Sequence, residues 1–192
     1  MRWLFFSYTL PSRPSRARVS IWRQLKKLGA ISYQSVWVLP YSSERVNEVI
    51  RLIQNIESWK GEGLLIDGKV LNTAQEERIN RAFVESRDEE YREIISKCED
   101  YAKEIEFEIG RQNFIFAEVE ENEEELEKLK QWLKKVEKRD IVEAPLRKEA
   151  VQKIQSCEDL FQDFALKVYE HSQIKDRKRR NGVKKNQHGQ QE

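Results

Sequence analysis

Glycine and proline are scarce in this sequence, and they nearly vanish from its second half. The 192 residues include seven glycines and four prolines, and between residues 72 and 172 only Gly110 and Pro145 interrupt the chain. Because both residue types tend to end or bend helices, their scarcity predicts long, uninterrupted helices over this stretch. The charged fraction of 36% points the same way, since it predicts extensive solvated helix surface.

Cysteine and histidine are too few and too widely spaced for a disulfide framework or a zinc site. Cys98 and Cys157 lie far apart, each on the apolar stripe of a predicted helix, which favours a reducing compartment. His171 and His188 stand at none of the spacings from these cysteines that zinc sites use. We therefore expect no metal and no cofactor.

No apolar run is long enough for a membrane span, which needs about 20 residues. The apolar segment near the start is short, and Pro11 and Arg13 interrupt it, so a signal peptide is not expected. Sequence motifs for a phosphate loop, a zinc protease or a serine triad are also missing, and Asp67 is a lone carboxylate at a predicted strand end. We expect a cytoplasmic protein that does not associate with membranes and is not an enzyme.

Charge of the two signs is segregated along the chain. Residues 1–71 carry 11 Lys or Arg against 5 Asp or Glu, residues 72–172 carry 17 against 27, and residues 173–192 carry 7 against 2. The two ends therefore carry net charges of +6 and +5, and the middle carries −10. Basic ends of this kind favour a polyanionic partner.

The first 71 residues alternate between strand and helix patterns. Strands are predicted for residues 3–9, for 30–40 with a bend near Gln34, and for 64–67, and two amphipathic helices lie between them. The order β-α-β-β-α-β predicts the α+β class with a ferredoxin-like split βαββαβ domain at residues 1–71, in which both helices cover one face of an antiparallel sheet.

The remaining chain is predicted to be helical. A capping box at Thr73–Glu76 starts a long helix, an ambiguous connection at residues 110–117 leads to a second helix, and a final helix follows Pro145. Residues 72–172 should thus form a helical extension, an antiparallel helical hairpin plus a final helix. Residues 173–192 have the composition of a disordered basic tail.

The first predicted helix carries a basic ridge, which is the most informative feature of the sequence. Ile21, Trp22, Leu25 and Leu28 fall on one face, and cations fall on the opposite face. Such a ridge can follow a phosphate backbone while the apolar face stays buried, or it can be a merely solvated face; Arg18 lies nearer the apolar side, where a structural ion pair is expected. We assign Trp22, Trp37 and Trp132 to the core. The candidate DNA-binding residues are Arg13, Arg16, Arg23, Lys26 and Lys27 and, in the tail, Arg177, Lys178, Arg179 and Arg180.

The sequence also resembles the N-terminal domain of the chromate-resistance regulator ChrB over roughly residues 2–141. The combination of segments is more specific than any one of them. The segments that carry the resemblance are residues 3–12, 14–19, 22–30 and 34–40, followed by Phe83, Arg87–Tyr91 and Arg139–Asp140.

The resemblance implies a function in transcription. Regulators of that family bind the promoter of a chromate-efflux operon and leave it when chromate is present. The implied function is therefore a DNA-binding regulator of the chromate-resistance type, or its stand-alone N-terminal module. DNA is the implied partner, chromate or another oxyanion is the implied effector, and a homodimer is an expected state. The basic helix with Arg16, Arg23, Lys26 and Lys27 becomes the implied DNA contact.

Two alternatives stay open at this point. The strand and helix pattern is also similar to phenylacetate-pathway repressors and to small CRISPR-associated nucleases, which suggests a metal-dependent nuclease on the same fold. Those nucleases place an aspartate directly after the first-strand tyrosine, whereas here Tyr8 is followed by Thr9. The second alternative is a coiled-coil scaffold that binds another protein.

Overall fold

A computed structural model describes residues 1–13 and 15–188. Over these residues the chain has five helices and one four-stranded antiparallel sheet, which confirms the predicted α+β class. In chain order the elements are β1 (Trp3–Thr9), α1 (Ser15–Lys27), β2 (Ile31–Tyr33), β3 (Val36–Pro40), α2 (Ser43–Ser58), β4 (Glu62–Gly68), α3 (Thr73–Gly110), α4 (Phe116–Arg139) and α5 (Arg147–His188).

The first strand of the chain lies in the middle of the sheet. The strand order is β2-β3-β1-β4, and each strand runs antiparallel to its neighbours. Leu4 of β1 lies opposite Leu39 of β3 on one side and Asp67 of β4 on the other. Gln34, with φ of 54°, forms the tight turn between β2 and β3, where the sequence predicts a bend.

Helices α1 and α2 cover one face of the sheet. Every second residue of β1 points to this face. Ser42 caps the start of α2, because its hydroxyl accepts a hydrogen bond from the Arg45 N–H at 3.1 Å. The core between sheet and helices is apolar throughout. Its buried members are Leu4, Phe6, Ile21, Leu25, Ala30, Leu39, Val49, Leu52 and Ile56.

The opposite face of the sheet is covered by the start of α3 and by the segment after α4. The Phe83 ring stacks on the Trp3 ring with centroids 5.4 Å apart, and Ile79, Ile141 and Val142 pack beside them. The Trp3 indole N–H donates to Glu76 at 3.0 Å. The sheet is therefore enclosed by helix on one face and by a later part of the chain on the other.

The start of α3 differs from the predicted capping box. The Gln75 N–H donates to the Asn72 side-chain oxygen at 3.2 Å. Asn72, rather than Thr73, is therefore the residue that caps the free N–H groups of the first turn. Glu76 is not available for a capping box, because its carboxylate binds Trp3 and the N-terminal ammonium, the latter at 2.6 Å. Both contacts lower the pKa of Glu76, with the ammonium contributing most.

The chain divides into two compact units. The first comprises Met1–Glu89 with Val136–Pro145, and the second comprises Glu90–Lys135 with the chain from Leu146 onward. This division differs from the one predicted at residue 72, because the first turns of α3 pack on the sheet rather than with the rest of their own helix.

In the second unit, parts of three helices pack together, and α3 and α4 run antiparallel. The Tyr101 hydroxyl donates to the Asn122 carbonyl at 3.3 Å, and the Cys157 thiol on α5 donates to the Cys98 carbonyl at 3.5 Å. The connection at residues 110–117, which could be a turn or a strand from sequence, contains no strand: Arg111 and Gln112 form a turn, residues 113–115 are irregular, and α4 follows. The buried side chains include Tyr91, Ile94, Cys98, Ile105, Leu126, Leu129, Leu133, Ile154, Cys157 and Phe164.

Helix α5 continues into the segment predicted to be a disordered tail. Residues 173–188 are helical, and the last four residues of the predicted tail, 189–192, lie outside the described residues. Within the described part of the chain, none of the helices combines the length and the apolar character that a membrane crossing requires.

Candidate nucleic-acid interface

Helix α1 is anchored by a narrow apolar stripe and a well-formed C-terminus. Ala17, Ile21 and Leu25 are its buried residues. At its end the Ala30 N–H donates to Leu25 and the Gly29 N–H donates to Lys26, both at 3.0 Å, in the two-bond pattern of a Schellman motif. Gly29 has φ of 82°, a backbone conformation that glycine adopts without strain. The outward face of α1 is thus held in a fixed orientation.

That outward face is cationic, as the sequence predicts. Arg16, Arg23 and Lys27 are exposed and lie on one side of α1, Arg13 is exposed just before it, and Lys26 is half-buried. Among the residues that the structure describes, none of these five forms an ion pair with a carboxylate. The sequence explains this, since residues 1–43 contain seven Arg or Lys and no Asp or Glu. The positive charge of α1 is therefore not neutralised locally.

Trp22 belongs to the same surface, and its assignment to the core was wrong. Its side chain is 49% exposed, and Val19 on the adjoining face is 44% exposed. The buried stripe is only as wide as Ala17, Ile21 and Leu25, and Trp22 lies about 100° around the helix from Ile21. No signal in the sequence separates Trp22 from the buried stripe, because its exposure depends on how much of the helix the sheet covers.

The side chains of α1 also form a shallow groove. The groove combines two cations with hydroxyl, amide and apolar groups, a mixture suited to a phosphate backbone and to the sugars and bases beside it. It is lined by Ser15, Arg16, Val19, Ser20, Arg23 and Gln24.

Arg18 has a structural contact, although not the ion pair predicted for it. Its guanidinium donates to the Pro11 carbonyl at 3.2 Å and helps line a small recess at the end of β1 with Ser7, Tyr8 and Ser35. Partial burial raises the pKa of Tyr8 and the Arg18 charge opposes that effect, so the phenol is protonated at neutral pH.

The four candidate cations of the predicted tail lie on α5, in the second unit. Arg177 is exposed. Lys178, Arg179 and Arg180 also belong to α5, and their side chains are outside the described part of the structure. The structure thus brings Arg13, Arg16, Arg23, Lys26 and Lys27 together on the first unit and places the other four on the second.

The lone carboxylate at the end of β4 is held by an arginine. Both carboxylate oxygens of Asp67 accept hydrogen bonds from Arg2, one of them at 2.7 Å from Nε. The hydrogen bonds and charge of Arg2 lower the pKa of Asp67, and the Arg2 guanidinium also lies over the Tyr41 ring at 4.0 Å. Across the described residues, no cluster of three or more His, Cys, Asp or Glu side chains could hold a metal.

The comparison with protein families decides the relationship. The family described as Protein ChrB, N-terminal, matches residues 18–175. The chain belongs to this family. The ChrB N-terminal match begins within α1 and continues far into α5, so it extends beyond residue 141, where the resemblance seen in the sequence ended. It contains Trp22, Arg23, Lys26 and Lys27, whereas Arg13, Arg16 and the cations from Arg177 onward lie outside it. No curated protein and no solved structure matches the chain.

Proposed function

We propose that this chain is a DNA-binding transcriptional regulator, or the stand-alone N-terminal module of one, of the chromate-resistance type. The single observation that carries the proposal is the unneutralised cationic face of α1, with Arg16, Arg23 and Lys27 exposed on a rigidly anchored helix. Membership of the ChrB N-terminal family supplies the regulatory context. The proposal includes DNA as the partner, chromate or another oxyanion as the effector that releases it, and a cytoplasmic location.

The proposed contact is mainly to phosphates. Lys and Arg side chains that neutralise phosphates release condensed counterions, and this release makes a large, sequence-independent contribution to affinity. Phosphate contacts also fix the orientation of the protein on the duplex. In this proposal Arg16, Arg23 and Lys27 bind the backbone, and Gln24, Ser20 and Val19 in the adjoining groove face sugars and base edges.

We also propose that β1 to β4 with α1 and α2 form a ferredoxin-like unit. The support is the element order β-α-β-β-α-β, the sheet order β2-β3-β1-β4 and the placement of both helices on one face. This arrangement leaves the outward side of α1 free of contact with the sheet.

The nuclease alternative has less support than DNA binding without hydrolysis. Hard divalent cations need several oxygen ligands close together, and Asp67 at the end of β4 already uses both oxygens to bind Arg2. Tyr8 of β1 is followed by Thr9, which supplies a hydroxyl instead of a carboxylate. We therefore propose that the protein is not an enzyme.

The test is charge reversal on α1 with Arg23→Glu and Lys27→Glu together. Each substitution replaces an attraction to phosphate with a repulsion, so the Kd for duplex DNA should rise at least tenfold, about 1.4 kcal/mol. Fluorescence polarisation with duplex oligonucleotides at fixed ionic strength measures this change. Repeating the titration of the wild-type chain with chromate tests the effector, which should weaken binding.

The matched control is Arg78→Glu with Arg81→Glu. These two cations are also exposed and lie on α3 within the first unit, so the control changes net charge by the same amount. Its Kd should move much less. If the α1 variant folds normally and binds DNA as tightly as the wild type, α1 is a solvated face, and the coiled-coil scaffold becomes the better account.

A further inference from the structure

The outer edge of strand β4 is open and apolar. In the described sheet β4 pairs with β1 over its whole length and has no strand on its other side. Leu64 and Ile66 are 57% and 50% exposed, and no atom lies within 4 Å of the point where a Cβ on Gly68 would stand. An open edge of this kind is a template for pairing with another strand.

The edge lacks the features that usually prevent such pairing. Native edge strands are commonly protected by lysine, proline or a bulge. The centre of β4 reads Gly63-Leu64-Leu65-Ile66, and its pairing with β1 runs without a bulge. The nearest carboxylate at one end, Asp67, is neutralised by Arg2. Glu62 and Asp67 are the charged residues of β4, and the stretch between them, residues 63–66, is regular, apolar and uncharged.

The two sides of β4 differ in what covers them. Leu64 and Ile66 point to one face of the sheet. Their partners on β1, Ser7 and Phe5, point to the same face. On the other side α2 covers the strand, and Ile53 is the side chain nearest to Gly63. Ile50 and Glu57 stand three and four residues from Ile53, so they lie on the same flank of α2. Both are exposed.

We propose that this edge is a homodimer interface, in which β4 pairs antiparallel with β4 of a second copy about a two-fold axis at Leu65. The two four-stranded sheets then join into one sheet of eight strands. Because the axis passes through Leu65, residues whose numbers sum to 130 lie opposite each other. The axis is perpendicular to the sheet, so each face of one sheet continues as the same face of the other. Leu64 thereby faces Ile66 of the second copy, twice, in an apolar cross-strand pair.

Charge complementarity favours a second copy as the occupant. In this register Lys69 of the second copy lies opposite Gly61, on the side of the sheet covered by α2. Gly61 follows the C-terminus of α2, where Glu57 and the negative end of the helix dipole attract a cation. Glu57 and Lys69 form no ion pair within the described part of their own chain. The two-fold axis supplies the missing partner to both copies.

The first test is the mass of the full chain in solution, measured by sedimentation equilibrium without DNA. The wild type should show twice the chain mass of 23.0 kDa. The variant Leu64→Lys with Ile66→Lys should show the mass of one chain, because lysines on both strands would meet. The matched control Leu71→Lys, at a fully exposed residue beyond β4, should remain dimeric. Circular dichroism checks that all variants fold.

The second test examines the register through a charge swap. Lys69→Glu and Glu57→Lys should each raise the dimer Kd at least fivefold, and the double variant should restore it to within about twofold of the wild type. A single-chain mass for the wild type at 100 µM would overturn the proposal. So would a dimer that survives lysine at residues 64 and 66, or a double charge variant that is no better than the single ones. Because no DNA is present, these outcomes are independent of DNA binding.

Discussion

At the residue scale, Trp22 changes the description of the α1 surface. A half-exposed tryptophan beside a row of arginines and lysines combines a flat apolar ring with positive charge. Proteins that bind single-stranded nucleic acid use this combination, because any exposed base can stack on an aromatic ring. In intact duplex DNA the bases are already stacked on each other, so the ring has little to contact there. Trp22 therefore predicts a preference for single-stranded over duplex DNA, which the cations alone do not predict.

Substituting Trp22 tests this directly. We expect Trp22→Ala to weaken binding of a single-stranded oligonucleotide by about tenfold, in line with roughly 1–3 kcal/mol per stacked base, and to change duplex binding less than twofold. Trp22→Phe should recover part of the loss. The control Tyr169→Ala removes an exposed aromatic ring from the second unit. An equal loss of affinity for single-stranded and duplex DNA would show that the ring does not stack on exposed bases.

At the element scale, the sequence predicts each element better than it predicts where the element packs. The strands and the stripes of α1, α2 and α3 follow from local spacing, because side-chain periodicity is a property of one segment. Ile79 and Phe83 continue the stripe of α3 without any change of pattern, yet they cover the sheet while later residues of α3 pack with α4 and α5. Periodicity identifies a buried side and leaves open which surface buries it.

The candidate site shows the same limit. The cations of α1 could be predicted because charge and helical angle are visible in the sequence. The exposure of Trp22 could not, because it depends on how much of the helix the sheet covers. The role of Glu76 was also hidden, since its partners, Trp3 and the N-terminus, are more than 70 residues away.

The enclosing role of Phe83 leads to a prediction about stability. Phe83→Ala should lower the free energy of unfolding of the first unit by about 3–5 kcal/mol, because it removes a buried ring stacked on Trp3 and leaves a cavity. The control Leu71→Ala, at a fully exposed position of the first unit, should cost less than about 0.5 kcal/mol. Urea unfolding followed by tryptophan fluorescence reports mainly this unit, since Trp132 alone of the five tryptophans lies outside it. A small loss for Phe83→Ala would mean that α3 does not seal the sheet.

At the scale of the whole molecule, charge is divided between a basic first part, an acidic helical body and a basic C-terminal segment. The family match ends at residue 175, and the basic residues from Arg177 onward lie outside the matched range. They supply positive charge without depending on the shape of the first unit.

Deleting residues 173–192 should therefore weaken duplex binding and also change its salt dependence. Each lost phosphate contact reduces the slope of log K against log salt by about 0.9, so a deletion that removes three contacts should flatten the slope by roughly 2.7. Titrations at several salt concentrations measure both effects. A weaker affinity with an unchanged slope would indicate that the segment acts on folding or assembly instead of binding DNA.

The central position of β1 has a consequence for the order of events during synthesis. Trp3–Thr9 leaves the ribosome before β3 and β4, the two strands that flank it, and the Ile141 and Val142 side chains that complete its outer cover are made more than 130 residues after Trp3. This aromatic strand thus waits through the synthesis of four helices, α1 to α4, before its cover is complete. During that interval its exposed face is a natural binding site for a chaperone, because nascent chains with unburied apolar strands are prone to aggregate.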